Sequence, residues 1–576
     1  MKSPNILFLT VDALRADRMS LHGYNRPTTP SLEKLAARAM VFDEAVSLAS
    51  FTQPSYPSIL TSSRPLSFGG YDHGAFGRPA TVFEKFHDER YETYALSTFQ
   101  WVSRIAGYDR GIDHEISLFV LNTLVGVASV ILRNHIERFR DSIINAEELA
   151  GEAEPHLMRL FDVLEHYVDN VRTQSRKDEF RHSRLRRDSY DYDRVQRICQ
   201  AHKAAFLADK TEYVQKHFMQ PFQAHEWLGK EWRLARQAGG LIREATGRIV
   251  NRTLASISPS RASARAMAAK RYVDGGALAD RIIRAMKEHK GDKPFMIWTH
   301  FLDTHVPYCP GRAGKWHREA GRYLAALGYD SRLDPAIAVS GRPQTPEQWE
   351  AWSAFYDATV LYVDEQIGRI VDSLDEMGLA EETLIVFCAD HGEELGDHGD
   401  ISHHFRLYSH NVRVPLMFAG AGVTPGRSEA LATLIDILPS MTEIAGIVAD
   451  DSWEGKSVFS PEVAGRSNVV LESFHGGSCA FDHKPAYMAA RDRRFNFLWK
   501  EFRDPSDKYS LDGPELYDTV ADPDEQQNIY DPSHPSLPEF EQAIFRRLTE
   551  IPEFKQNRFD GKFATIAATG QKAKAK

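Results

Sequence analysis

Cysteine is scarce in this chain, and positive charge is not in excess. The four cysteines, Cys199, Cys309, Cys388 and Cys479, lie far apart and form no CxxC pair. That spacing indicates neither a zinc knuckle nor a disulfide framework; buried thiols in a reducing compartment are the expectation. The net charge of −10 argues against nonspecific nucleic-acid binding, which needs a broad basic surface. No secretory leader is legible. The opening MKSPNILFLTVDALRAD carries only the short apolar run NILFLTV, which leads straight into Asp12. A leader would need a longer apolar run and a small-residue cleavage site. The run reads instead as a buried first strand, and a cytoplasmic location is expected.

Long uncharged runs are also few. The exception is residues 116–132, ISLFVLNTLVGVASVIL. As a helix at about 1.5 Å per residue it would span ~25 Å, short of a bilayer core of about 30 Å. No second run of that length would return the chain across a membrane. A helix buried within its own region or in a homo-oligomer interface is therefore expected. The rival is peripheral membrane contact through 116–132, helped by the basic group Arg181, Arg184, Arg186 and Arg187.

What is present suits an α/β protein. The 576 residues are 42% hydrophobic and 26% charged, ordinary values for a soluble fold of one large and one smaller domain. Residues 5–11, 294–301 (PFMIWTHF) and 383–390 (TLIVFCAD) are short continuous apolar runs, as strands buried on both faces require. Between them lie helix-like stretches such as 362–379, where Val363, Ile367, Ile370, Val371 and Leu374 recur at helical spacing. This alternation predicts a mixed, largely parallel sheet flanked by helices. The charged, helix-like texture of 115–265 reads as a helical insertion in a catalytic domain of 1–114 and 266–440. Short strand-like runs after 441 predict a smaller α+β subdomain over 441–560, followed by a disordered tail at 561–576.

Ligands of open parallel sheets bind beyond the carboxyl ends of the strands. The three predicted strand ends carry Asp12, then His300 with His305, then Asp390 with His391. The stretch FTQPSYPSILTS at 51–62 adds a hydroxyl, Thr52, before a Pro-Ser turn. Carboxylates, a hydroxyl and an imidazole suit one divalent cation, or two, of calcium, magnesium, manganese or zinc. A cation lowers the pKa of a threonine hydroxyl and supplies a nucleophile at neutral pH. Nearby histidines can protonate a leaving group or hold the transferred oxygens. Singly, Asp12 also suits a helix cap at Ala13, Thr52 a turn position, and His300 a structural role at a strand end.

The order of the motifs is more specific. VDALRAD with GYNRPTTPSLEKLAARAMVFDEAVS, then RVPLMFAG at 413–420, LIDILPSMTEIAGI at 434–447 and ELYDTVADPDEQQN at 515–528 resemble the landmarks of the sulfatase family of the alkaline phosphatase superfamily. That family carries its nucleophile in a C/S-x-P-S-R run nine residues before the threonine of an L-T-G. Here Thr52 stands nine residues before Thr61. The resemblance implies Asp12, Thr52, Asp390 and His391 as metal ligands, Thr52 as nucleophile, and His305 as a substrate contact. It offers His404, with His403 as rival, as a further contact. His300, from its place at the strand end alone, is a catalytic candidate.

Three departures alter the expected chemistry. Thr52 replaces cysteine or serine, so no formylglycine is expected. Tyr56 replaces the arginine of the run, and Ala13 replaces the second acidic residue of an Asp-Asp pair. A formylglycine hydrate expels sulfate by collapsing to the aldehyde, which a sulfated threonine cannot do. The expected activity is therefore hydrolysis of an anionic phosphoric ester through a phosphothreonine, with a diester preferred over a monoester. The alternatives are a phosphoglycerol- or phosphoethanolamine-type transferase, a sulfatase using unmodified threonine, and a non-catalytic scaffold binding membranes or partners.

Overall fold

A computed structural model describes residues 3–119, 127, 132, 135–174, 176–180, 191–218, 273–312, 315–334, 337, 342–473, 487–500 and 513–551. The chain divides into two compact units. One comprises Met1–Arg90 and Met377–Lys576, the other Tyr91–Glu376. The strands in chain order are β1 (Asn5–Val11), β2 (Ala39–Phe42), β3 (Glu92–Ser97), β4 (His114–Ser117), β5 (Phe295–Phe301), β6 (Thr383–Ala389), β7 (Glu394–Leu395), β8 (Ile401–Ser402), β9 (Leu416–Gly420), β10 (Gly426–Ser428), β11 (Val469–Glu472), β12 (Tyr487–Arg491), β13 (Phe495–Lys500) and β14 (Glu515–Asp518).

In the first unit the strand order is β10-β2-β9-β6-β1. β1 runs parallel to β6, and β9 runs antiparallel to both β6 and β2. All of β6, and β1 from Ile6 onward, are buried. Their near-continuous apolar sequence follows, since a strand covered on both faces has no solvent side to make polar. A separate antiparallel sheet, β11-β12-β13-β14, packs against the helix Leu537–Thr549 through Met488, Leu516, Phe540 and Ile544. This is the smaller C-terminal layer expected from the short strand-like runs after 441.

In the second unit β5, β3 and β4 form parallel pairs. The long helix Pro346–Glu376 packs against the helices Gly275–Glu288 and Trp316–Ala326. Three further helices, Ala146–Gln174, Tyr192–Ala208 and Lys210–Phe218, pack on one another within the region read as a helical insertion. The helix expected over 116–132 needs a correction at its start. Ile116 and Ser117 close β4, opposite Leu96 and Ser97. Pairing with β3 gives these residues backbone partners, so the uncharged run opens as strand. Val127 and Leu132 are buried; residues 120–126 and 128–131 lie outside the described residues.

The basic group at 181–187, Cys479 and the tail at 561–576 also lie outside the described residues. Cys199, Cys309 and Cys388 are buried. No described helix is long and apolar enough to cross a membrane.

Candidate active site

The parallel register of β1 and β6 places Val11 opposite Ala389. The next residue of each strand, Asp12 and Asp390, therefore emerges at the same carboxyl edge. Both are fully buried, and a carboxylate oxygen of each lies within 4.8 Å of the other. Ala13 adopts a left-handed backbone with φ 52°, a conformation uncommon for a residue with a Cβ. It turns the Ala13 N–H onto Asp390 Oδ1 at 3.1 Å, and the His391 N–H donates to the same oxygen at 2.9 Å. The carboxylate is thereby oriented, with one oxygen engaged. The other, Oδ2, is buried and has no hydrogen-bond partner.

Thr52 is the first residue of the helix Thr52–Thr61 and is 4% exposed. Its approach is fixed by Ser55, whose hydroxyl donates to the Phe51 carbonyl at 2.9 Å and lies 3.1 Å from Ser47 Oγ. Thr52 Oγ1 is 3.0 Å from His391 Nε2 and 3.5 Å from Asp12 Oδ2. His391 Nδ1–H donates to the Gly392 carbonyl at 2.7 Å. That bond fixes the neutral tautomer whose Nε2 carries a lone pair facing the Thr52 hydroxyl. Burial lowers the His391 pKa to about 4, keeping the ring neutral. Burial raises the Asp390 carboxyl, and Asp12 adds to the rise while His391 opposes it.

Two buried carboxylates side by side repel one another, and an unengaged buried oxygen is costly. A divalent cation relieves both. The donor set of Asp12, Thr52, Asp390 and His391 thus fits such an ion, which these four residues would hold. Tyr56, in the position of the family's arginine, is 1% exposed and its hydroxyl lies 3.3 Å from Thr10 Oγ1. Burial, then the charges of Asp390 and Asp12, hold its phenol well above the ordinary value. It presents a neutral group where the family pattern has a cation.

Among the remaining candidates, His404 is half-buried, and its carbonyl accepts from Ser50 Oγ at 2.5 Å. Its rival His403 lies with its ring centroid 4.3 Å from that of His391. His403 Nδ1–H donates to the fully buried Glu393 at 2.8 Å. Sequence reasoning passed over Glu393, although its place two residues after His391 was visible. Arg15 was also passed over; it is buried, pairs with Asp17 and Asp397, and donates to the Glu393 carbonyl at 3.1 Å. His300 and His305 belong to the second unit. His300 is fully buried within β5, its carbonyl accepting from Thr98 Oγ1 at 2.5 Å. His305 Nδ1–H donates to the Val306 carbonyl at 2.7 Å, just before a cis Val306–Pro307 bond.

Comparison with known proteins places the chain in a family. The sequence model of the family described as Sulfatase matches residues 4–149 and 256–447, more than half of the chain. Choline-sulfatase of Rhizobium meliloti (strain 1021) is 30% identical over 178 residues, which are 30% of this chain and 32% of that protein. Arylsulfatase K of Xenopus laevis is 27% identical over 281 residues, 47% of this chain and 48% of that one. The chain thus spans about a third to a half of the length of these curated relatives. The crystal structure of a phosphonate monoester hydrolase of Agrobacterium radiobacter covers 95% of this chain and 95% of its own, with a TM-score of 0.52 at 14% identity. Likeness at that identity establishes the fold. With Thr52 at the head of its helix and the matched segments carrying Asp12, Asp390 and His391, the chain belongs to the sulfatase family of the alkaline phosphatase superfamily.

Proposed function

We propose that the chain is a metal-dependent phosphoric ester hydrolase that acts through Thr52, with diesters preferred over monoesters. The observation that carries this reading is the Thr52 hydroxyl, 3.0 Å from the unprotonated Nε2 of His391. A hydroxyl at this position can form and release a phosphoryl ester with water. It has no aldehyde to regenerate, which is the route by which a formylglycine expels sulfate. Asp12, Asp390, Thr52 and His391 would hold a divalent cation, whose charge would acidify the hydroxyl and offset the oxygens of the transferred group.

The side chains perform the remaining steps. Thr52 Oγ1, its proton released to solvent, attacks phosphorus while the bond to the leaving alkoxide breaks. The helix N-terminus beginning at Thr52 favours negative charge at that point. His403, oriented through Nδ1 by Glu393, gives a proton to the departing oxygen. It then takes a proton from the water that attacks the phosphothreonine, and the P–Oγ1 bond breaks, Oγ1 regaining a proton from solvent. The neutral Tyr56 offers less positive charge than an arginine, which suits a monoanionic diester better than a dianion. The Agrobacterium radiobacter neighbour, a phosphonate monoester hydrolase, supports phosphorus chemistry on this fold.

A second reading, sulfuric ester hydrolysis through unmodified threonine, draws on the curated relatives described as sulfatases. A screen of phosphomonoesters, phosphodiesters, phosphonates and sulfate esters with calcium, magnesium, manganese and zinc separates the two. The proposal expects a diester as the best substrate. It also expects Thr52→Ala to lower kcat/KM more than about 10²-fold, ~2.7 kcal/mol of transition-state stabilisation. A sulfate ester as the best substrate, or near-normal activity in Thr52→Ala, would overturn it. Adding alcohol acceptors and analysing products tests for transfer in place of hydrolysis.

A further inference from the structure

A second group of metal-ligating side chains lies in the same unit, outside the four residues proposed to hold the catalytic cation. β7 and β8 form a short antiparallel ribbon whose connecting turn carries His398. His410 sits in the helical turn Ser409–Val412 and is 8% exposed. Glu525, 1% exposed, comes from the segment after β14. One ligand atom from each of His398, His410 and Glu525 lies within 4.8 Å of the other two.

The surroundings hold these three side chains in place. The His398 ring stacks on Tyr408 at 3.7 Å between centroids and faces His410 at 5.2 Å. Glu525 accepts from Ser409 N at 2.6 Å, Ser409 Oγ at 2.9 Å and Asn496 Nδ2 at 2.8 Å. A second carboxylate, Glu394 Oε1, is 3.9 Å from His410 Nε2. Yet Nε2 of His398 and Nε2 of His410 are both buried without a hydrogen-bond partner. Buried polar nitrogens are almost always satisfied, and two imidazole edges left so beside a carboxylate need an explanation.

We propose that His398, His410 and Glu525 form a second, structural metal site for a zinc-class transition ion. Imidazole nitrogens with one carboxylate favour zinc over the oxygen-preferring calcium and magnesium. Ligand bonds of about 2.0–2.2 Å require the three donors to draw together slightly from their present spacing. Rotation of His398, which is only half-buried, supplies that movement. Such an ion ties the β7–β8 turn, whose second strand leads into His403, to the C-terminal layer through Glu525. It does not depend on the hydrolase reading.

The test uses the full chain with Asp12→Asn and Asp390→Asn, so that the catalytic cation site is disabled. After chelator treatment, zinc is titrated by calorimetry, and cobalt is followed by its visible d–d bands. One equivalent of zinc is expected, with a tetrahedral cobalt spectrum and a raised Tm. Adding His410→Ala should abolish all three at unchanged circular dichroism. His398→Gln, at a half-buried position, gives the same readout if His410→Ala unfolds. Absence of zinc binding in the double variant, or binding that survives the histidine substitutions, would overturn the proposal.

Discussion

The side chain of Glu472 is fully buried at the end of β11 and anchors the C-terminal helix. It accepts from Arg547 on that helix, from Arg64 Nη1 at 3.1 Å and from the Leu66 N–H at 2.9 Å. Arg547 is only 5% exposed in its side chain. Arg547→Met therefore leaves a buried carboxylate with one guanidinium, that of Arg64, which is 22% exposed. Removing one partner of a buried pair costs about 3–5 kcal/mol, and the surviving Arg64 puts this case near 3 kcal/mol. That is a large part of the roughly 5–15 kcal/mol that stabilises a typical fold. Glu472→Leu should cost a similar amount, because it leaves the buried Arg547 with only the Ser67 hydroxyl and the exposed Glu550 as acceptors. The double variant removes both charges and should cost far less than the sum, with a coupling of at least ~1.5 kcal/mol. Urea unfolding of the four proteins gives each term, provided the slopes agree. Because the Glu472 N–H donates to the Leu48 carbonyl at 2.7 Å, the strand also props the segment leading to Thr52. Single variants should therefore lose some turnover before they unfold. Additivity within about 0.5 kcal/mol would show that the pair is not coupled and would refute the reasoning.

Gly392→Ala should abolish more than about 10²-fold of kcat, because a Cβ there would lie 1.9 Å from the His410 carbonyl oxygen and displace His391; unaltered kcat would show that the loop adapts. Tyr56→Arg should raise kcat/KM for a dianionic monoester relative to a diester by roughly tenfold, ~1.4 kcal/mol, and an unchanged ratio counts against the charge argument. Burial raises the Asp43 carboxyl, but the His22 ring, its Nδ1 3.4 Å from Oδ1, and the hydrogen-bonded Arg427 bring it down to about 2. Since the folded value is below the unfolded ~3.9, its contribution is present above about pH 4 and is lost as pH falls towards 2. Solvent screening on its open side limits this to about 1 kcal/mol. Wild type should therefore exceed Asp43→Asn in stability at pH 6 and match it near pH 2, and a difference independent of pH would contradict the linkage.

Much of this was legible in the sequence because burial on both faces leaves an unmistakable mark. β1, β5 and β6 coincide with the apolar runs at 5–11, 294–301 and 383–390. The landmark spacing drew attention to Asp12, Thr52, Asp390 and His391, and the structure brings them together. Two kinds of feature escaped. The start of the 116–132 run is strand because β3 offers it a pairing edge, and hydropathy without partners does not distinguish the two states. Glu393 and Arg15 escaped because charged residues near a motif usually face solvent. Glu393 is buried with His403 as its side-chain partner and Arg15 with Asp17 and Asp397, pairings that leave no periodic signature.

The hydrogen bond from Ala13 to Asp390 joins residues 377 positions apart in the chain. During synthesis β1 is made before β6, and the strand that covers its edge arrives only about 370 residues later. Until then an apolar segment from Ile6 to Val11 has no partner on that side, and such edges pair promiscuously. Pairing of β1 with β6 and completion of the proposed catalytic centre are consequently one late event. A ribosome-stalled chain ending before Thr383 would carry Asp12 and Thr52 but no second carboxylate from β6. Metal affinity at this centre would therefore report on completed folding, with the ion acting as the fastener of a long-range β-pair.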